Sequence, residues 1–174
     1  MTNQTLTTIH NRKSVRKYLD KPVERDVLET LMRAGMAAPS AANHRPWAFV
    51  AITERPTLVA LANGLHYGKM AEHAAAAIVV CGDLGKALPG LEQDFWVQDC
   101  SAASQNILLA VESIGLGATW GGVYPMADRV ALVQSVLNLP KEIIPLNIIA
   151  IGYPVGNELP HDKFDAAKIH WEKW

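Results

Sequence analysis

The sequence has 174 residues and a formal net charge of −1, with 49% hydrophobic and 19% charged residues. This length and composition predict one folded domain over residues 1–174 and exclude a disordered chain. The near-neutral charge excludes a broad basic surface for nucleic acid, and no apolar run reaches the roughly 18–20 residues that span a membrane. Polar residues precede basic ones at the N-terminus, the reverse of a secretory signal, so we expect a cytoplasmic protein.

Hydrophobic spacing predicts five elements in the first part of the chain. A first helix over 5–13 is followed by an extended segment over 14–21. Apolar residues in 24–38 recur at helical spacing and predict an amphipathic helix. A strand over 47–53 and a short helix over 54–65 follow.

The remaining elements alternate between strands and helices. The short apolar run 76–81 ends at a turn signal and predicts a buried strand. The longest helix is predicted over 93–114, followed by a brief strand over 117–121. A helix over 126–137 and a last strand over 146–153 complete the set. Four strands with helices between them predict an α/β or α+β sandwich, and their order leaves parallel and mixed pairing both open.

The long helix carries a regular row of apolar residues. Cys100, Ala103, Ile107, Ala110 and Ile114 follow one another at intervals of 3, 4, 3 and 4 residues. Such a heptad-like row is typical of a helix that packs against another long helix.

Cysteine and histidine positions predict neither a disulfide nor a metal site. Cys81 and Cys100 form no CxxC pair, and we expect two buried thiols. His66 and His73 could share a helix face, but no third ligand accompanies them. We therefore expect no metal ion.

A basic segment near the N-terminus is a candidate anion site. Alternate side chains of an extended segment share one face, so Arg12, Ser14 and Arg16 would point to one place, with Lys13 between them. Two guanidinium groups and a hydroxyl suit phosphate oxygens, because arginine can donate two parallel hydrogen bonds. The alternative interpretation is a solvated basic face at the end of a helix.

The loop over 38–47 is a candidate ligand contact. Its two prolines restrict the backbone, and small and polar residues lie between them, including Pro39, Ser40, Ala41 and Asn43. A flat ligand could approach such a loop and hydrogen-bond to its side chains. The alternative is an ordinary loop that uses Ser and Asn for turn chemistry.

A glycine-rich segment follows the long helix. Trp120 precedes Gly121 and Gly122, which allow close backbone approach and expose N–H groups. The segment is not a dinucleotide fingerprint, since GxGxxG is missing and these glycines do not open a helix. A tight turn at a strand end is the alternative interpretation.

The polar C-terminal tail over 162–174 carries two tryptophans. Trp171 and Trp174 have large apolar surfaces that are unfavourable to leave in water. We therefore expect the tail to dock, either on its own subunit or on a partner.

Taken in order, these segments resemble the nitroreductase superfamily over nearly the whole chain. The family pattern combines R-x-S-x-R/K, P-S-x-x-N-x-Q-P-W, a Gly-rich segment after the long helix, and a basic residue before an H-x-x-x-W ending. The residues that match it here are Arg12, Ser14, Arg16, Pro39, Ser40, Asn43, Pro46, Trp47, Trp120, Gly121, Gly122, Lys163, His170 and Trp174.

The resemblance implies a fold, a cofactor and an assembly. The fold would be α+β, with a central mixed or antiparallel sheet of four to five strands, flanking helices and a domain-swapped C-terminal tail. The assembly would be a homodimer with the long helix at its core and FMN at the subunit interface. The implied cofactor-binding residues are Arg12, Lys13, Ser14, Arg16, Pro39, Ser40, Ala41, Asn43, Trp120, Gly121, Gly122, Lys163 and Lys168.

The resemblance also implies which residues bind the phosphate of FMN. Arg12, Ser14 and Lys163 would do so, with Lys168 as a second candidate. The family commonly has Arg where this chain has Lys163, so Lys163 would be a single-point donor. By this interpretation His44 stands where the family commonly has Gln.

The flavin ring would contact other parts of the chain. Arg16 would lie near its N1/O2 edge, and Ser40 and Asn43 would come from the other subunit. Backbone N–H groups near Gly121 and Gly122 would lie beside N5.

The implied activity is hydride transfer from NADH or NADPH, through flavin N5, to a small-molecule acceptor by a ping-pong mechanism. The acceptor would be a nitroaromatic, a quinone or a similar compound. FMN would carry the redox chemistry, and the protein would supply binding, orientation and electrostatics. Other activities of the same fold remain alternatives, namely dehalogenation, flavin cleavage and reduction of activated alkenes, as does a non-enzymatic flavin-binding protein.

Overall fold

A four-stranded sheet forms the centre of the molecule. The computed structural model describes residues 3–65, 68–156 and 158–174. The strands are β1 (Trp47–Ile52), β2 (Ala76–Asp83), β3 (Gly117–Gly122) and β4 (Ile143–Gly152). Their order in the sheet is β1-β2-β4-β3, and every neighbouring pair is antiparallel. The α+β class is therefore confirmed, and the strand pairing that the sequence left open is antiparallel throughout.

Six helices within the described ranges flank this sheet. They are α1 (Gln4–Asn11), α2 (Arg25–Met36), α3 (Arg55–Gly64), α4 (Lys69–Glu72), α5 (Phe95–Ser113) and α6 (Ala127–Leu137). The short helix α4 was not predicted, and Gly68 separates it from His66 and Tyr67, which lie outside the described residues. None of the described helices combines the length and apolar character that crossing a bilayer requires.

Two hydrophobic cores lie on opposite faces of the sheet. Ile78 and Val80 of β2 face a core that contains residues of α2 and α5. Ala77 and Val79 face a second core that contains residues of α3 and α6. Because helices cover both faces, β2 is apolar at every position that it buries, which explains its continuous apolar run in the sequence.

Strand β4 begins three residues earlier than predicted. Pro145 hides this start in the sequence, because proline is uncommon inside a sheet. The strand accommodates it where the β2–β4 register shifts between Val80 and Cys81, so that Pro145 lies opposite Cys81. A bulge of this kind allows a strand to contain a residue without an N–H donor.

The apolar row on α5 packs within its own chain. Cys100, Ala103 and Ile107 are fully buried in the core between α5, α2 and the sheet. The sheet and α2 therefore cover these three residues, whereas Ala110 is half-buried and Ile114 is 50% exposed. That α5 lies at the core of a dimer stays a prediction. A different stripe of α5 remains accessible, with Gln105 exposed and Leu109 half-buried.

The C-terminal tail leaves its aromatic side chains uncovered. Beyond Pro154 the described chain forms no strand and only one short helical turn, Ala166–Lys168. Trp171 and Trp174 are 82% and 100% exposed. The tail therefore does not bury its tryptophans against its own chain, and the first of the two expected docking modes is not observed.

Candidate functional site

The basic segment predicted as an anion site runs beside the first residues of β3. Arg12 ends α1, and Ser14 forms a parallel bridge with Ala118. The Val15 N–H donates to the carbonyl oxygen of Ala118 at 2.9 Å, and the Val15 side chain is buried over Gly117. A methyl group at Gly117 would come within 2.7 Å of Val15, so this glycine permits the close approach.

A cleft opens between this segment and the start of the tail. Its volume is about 560 Å³, and one wall carries Arg12, Ser14 and Arg16. The other wall carries Lys163 and Glu158. Among the described residues no carboxylate pairs with Arg12, Arg16 or Lys163, so their charges are available to a ligand. The chain thus brings together the four residues that the resemblance assigns to phosphate and to the N1/O2 edge.

The two remaining candidate lysines are placed differently. Lys13 lines the cleft, but its Nζ lies 3.2 Å from Oε1 of Glu112 on α5, so its charge is already partnered. Lys168 is absent from the cleft lining; it is 80% exposed and lies 3.7 Å from a carboxylate oxygen of Asp165. Of the two candidate lysines in the tail, Lys163 and Lys168, the structure therefore places only Lys163 beside Arg12.

Glu158 is a cleft residue that the sequence analysis did not identify. Its Oε2 is buried and accepts no hydrogen bond from the described residues. A carboxylate beside Arg12 and Arg16 moderates the positive potential of the cleft. No signal in the sequence could have revealed it, because an isolated glutamate in a polar tail follows no motif.

The loop before β1 has a strained backbone. Ala42, Asn43 and Arg45 have φ values of 45°, 59° and 50°, which lie in the left-handed region that non-glycine residues rarely adopt. Left-handed residues of this kind persist where surrounding contacts hold them, and they are concentrated at functional sites. The loop therefore needs contacts that hold it in this conformation.

Two contacts hold this loop. The Ala41 N–H donates to Oδ1 of Asp99 on α5 at 2.9 Å, and the Arg45 N–H donates to Oγ of Ser40 at 2.9 Å. Asp99 is only 7% exposed, so this hydrogen bond is shielded from water. The Asp99 carboxylate therefore fixes the start of the loop. Pro39 and Asn43 remain exposed.

The departure from the family pattern lies one residue further than the sequence analysis placed it. In the pattern P-S-x-x-N-x-Q-P-W, the glutamine stands two residues after the asparagine, which is Arg45 here and not His44. His44 Nδ1 lies 3.0 Å from the carbonyl oxygen of Lys86, which anchors the loop to the end of β2. The residue that replaces glutamine is therefore a cationic one.

The outer edge of β3 turns backbone groups away from the rest of the sheet, and the Gly122 carbonyl oxygen accepts from Arg129 Nη1 at 3.2 Å. The Ala118 carbonyl bonds to Val15 and therefore faces away from β4. Alternation along the strand turns the peptide groups of Trp120 and Gly122 to the same outer edge, and that of Gly121 towards β4. No heavy atom lies within 4 Å of the position that a Cβ of Gly122 would take. Gly122, not Gly121, thus offers both an outward N–H and open space.

One chain does not bring the loop and the cleft together. Strands β1 and β3 are the two outer strands, and three strand spacings separate them by about 14 Å. The loop precedes Trp47, which pairs with Gly82 near the end of β2. The cleft lies beside Ala118, which is level across the sheet with Ala76 at the start of β2. Six residues of β2 add about 20 Å along the strands.

The cysteines and histidines form no reactive centre in the described part of the chain. Cys81 and Cys100 are free and buried, as the sequence predicted. Burial raises the pKa of the Cys81 thiol to about 12, which leaves it protonated and unreactive near neutral pH. No cluster of three potential metal ligands occurs among the described residues, and His66 lies outside them.

Comparison with known proteins gives a consistent result for sequence and structure. The sequence matches the Nitroreductase family over residues 9–80 and 61–153. It is 44% identical to a protein from Methanothermobacter thermautotrophicus assigned as an NADH dehydrogenase/NAD(P)H nitroreductase, over 97% of this chain and 87% of that protein.

Solved structures share the fold almost completely. A protein from Parabacteroides distasonis with the same assignment superimposes with a TM-score of 0.94 at 51% identity, over 99% of this chain and 100% of that one. A protein from Desulfovibrio desulfuricans assigned as a nitroreductase was crystallised with FMN. It superimposes with a TM-score of 0.84 at 27% identity, over 100% of this chain and 99% of that one.

Proposed function

Because this chain belongs to the nitroreductase family, we propose that it is an NAD(P)H-dependent FMN oxidoreductase with its flavin sites at a homodimer interface. One observation carries the proposal. A cleft with unpaired cations and an open glycine lie along the same outer edge of β3. This arrangement offers an anion site and a place for a flat ring on one surface.

The residues present suit FMN. Arg12, Ser14 and Lys163 provide two cations and a hydroxyl for the phosphate, as charge-assisted hydrogen bonding favours. Ala118 lies beside this cleft, and Gly122 follows four residues later, about 13 Å along the strand. The space above Gly122 would accept the flavin ring, and the Gly122 N–H is directed outward towards it. Arg16 would lie near the N1/O2 edge of that ring.

The partner subunit would complete the site. Pro39, Ser40, Ala41 and Asn43 lie at the far edge of the sheet from the cleft of their own chain, so we infer that they serve the flavin of the other subunit. The half-buried Leu109 of α5 and the exposed aromatic residues of the tail support the same assembly, since they leave apolar side chains for a partner to cover.

The chain's own groups would orient the reactants and stabilise charge. When bound, FMN would supply two-electron chemistry, taking hydride from NADH or NADPH and giving it to the acceptor in a ping-pong cycle. Arg16 would stabilise the negative charge that develops at the N1/O2 edge, and the Gly122 N–H would fix the ring beside its reactive atom. The strained loop would present its polar groups in a fixed orientation.

The decisive experiment is spectroscopic. Purified protein should carry or take up FMN, show the absorption of a bound flavin, and lose that absorption when NADH or NADPH is added without oxygen. Steady-state rates with a quinone, a nitroaromatic, a halogenated aromatic and an activated alkene then identify the acceptor. Protein that takes up no FMN would refute the proposal, and bound FMN that neither nicotinamide reduces would assign a non-enzymatic role.

A further inference from the structure

Two aromatic side chains flank the open space at Gly122. Trp120 and Gly122 share with Ala118 the face of the sheet that α5 covers, because alternate residues of a strand share a face. Tyr124 follows the strand and contacts Trp96 of α5, so its ring lies on the same side. Trp120 and Tyr124 are each 37% exposed. The Tyr124 ring therefore lies on the same side of the sheet as the open space at Gly122 and the neighbouring Trp120.

Tyr124 is exposed but firmly held. Its ring meets Trp96 edge to face, with ring centroids 4.9 Å apart and planes at 69°. Trp96 is itself buried and fills the space above Gly82, so that no room is left for a methyl group between Gly82 and the indole. The Tyr124 N–H also donates to the carbonyl oxygen of Leu146 at 3.1 Å. A ring held in this way can contact a ligand with little further loss of conformational freedom.

We propose that Tyr124 is a specificity-determining residue whose exposed ring contacts planar aromatic acceptors, such as quinones and nitroarenes, beside Gly122. This inference rests on the proposed function, which puts the reacting edge of the flavin at Gly122. Tyr124 lies two residues further, so their Cα atoms are at most about 7 Å apart. An acceptor ring stacked at that edge would come within van der Waals reach of the tyrosine ring.

The proposed contact acts on binding of aromatic acceptors and leaves flavin binding unchanged. Aromatic pairs contribute beyond their buried area by an amount that corresponds to about a three- to tenfold change in affinity. An acceptor without a ring, such as ferricyanide, gains nothing from the contact. Tyr124 should therefore separate aromatic from inorganic acceptors.

The test compares FMN-loaded Tyr124→Ala and Tyr124→Phe with the wild type. Leu19→Ala serves as the matched control, because Leu19 is a similarly exposed apolar residue near Tyr153, at the far end of the sheet from Gly122. Three quantities are measured for each protein. They are the Kd of 4-nitrobenzoate from the absorbance of the oxidised flavin, the KM for a naphthoquinone and for ferricyanide, and the Kd of FMN.

Tyr124→Ala should weaken 4-nitrobenzoate binding and raise the naphthoquinone KM three- to tenfold, while the ferricyanide KM and the FMN Kd stay within twofold. Tyr124→Phe and Leu19→Ala should resemble the wild type. Unchanged aromatic constants in Tyr124→Ala overturn the inference. So does an equal loss for ferricyanide and FMN, which indicates a structural role, or a Phe variant that behaves like Ala. A wild type that binds no FMN refutes the proposed function itself, before any variant is compared.

Discussion

Replacing Arg12 by Ala should weaken FMN binding strongly. Arg12 lines the cleft and has no ion-pair partner among the described residues, so its guanidinium is free to bind phosphate. A hydrogen bond to a charged group contributes about 1.5–3 kcal/mol, which corresponds to about a 10- to 150-fold rise in the Kd of FMN. The fold should tolerate the change, because the helix-ending hydrogen bond of residue 12 comes from its backbone N–H.

The assay is fluorescence titration of flavin-free protein with FMN and with riboflavin, which lacks the phosphate. Arg12→Ala should affect FMN and leave riboflavin within about twofold. Lys13→Ala is the matched control, because the Lys13 charge is partnered by Glu112 and contributes less to a ligand. An unchanged FMN affinity, or an equal loss for FMN and riboflavin, would refute the phosphate assignment of Arg12.

Three further predictions concern the tail and the loop. Lys163→Ala should weaken FMN binding by about 10-fold or more, and Lys168→Ala should not, since only Lys163 lines the cleft. The same FMN titration measures both variants, and a larger effect of Lys168→Ala would reverse the assignment. Asp99→Ala should lower the free energy of unfolding by about 1–3 kcal/mol, because it leaves the Ala41 N–H without an acceptor. A denaturant titration measures this free energy. A loss below roughly 0.5 kcal/mol, which is the scatter of surface substitutions, would contradict the prediction. Deleting the chain after Tyr153 should yield a monomer by light scattering, whereas a stable dimeric truncation would show that the tail does not hold the partner.

The sequence predicted most elements because hydrophobic spacing reports burial directly. The continuous apolar run of β2 and the helical spacing of α2 both correspond to faces that the structure buries. On α5, the first three residues of the predicted row are buried, whereas Ile114 at its end is 50% exposed. Periodicity shows which face of a helix is covered but not whether a helix, a sheet or a second subunit covers it.

The site was only partly predictable for a similar reason. Arg12 and Ser14 lie close together in the sequence, so their common face follows from strand geometry alone. Lys163 could be named only through the family resemblance. Asp99 and Glu158 act through contacts with residues distant in the sequence, at Ala41 and in the cleft, and no local pattern marks such contacts.

In the loop before β1, the left-handed conformation is unfavourable for the local backbone, and contacts with other parts of the chain hold it in place. Asparagine tolerates this conformation, so Asn43 costs little, whereas Ala42 and Arg45 would adopt other conformations in an isolated peptide. The native shape of the loop therefore depends on its hydrogen bonds to Asp99 and Ser40. Amide hydrogen exchange at Ala41 should therefore be among the first to accelerate as the stability of the fold is lowered.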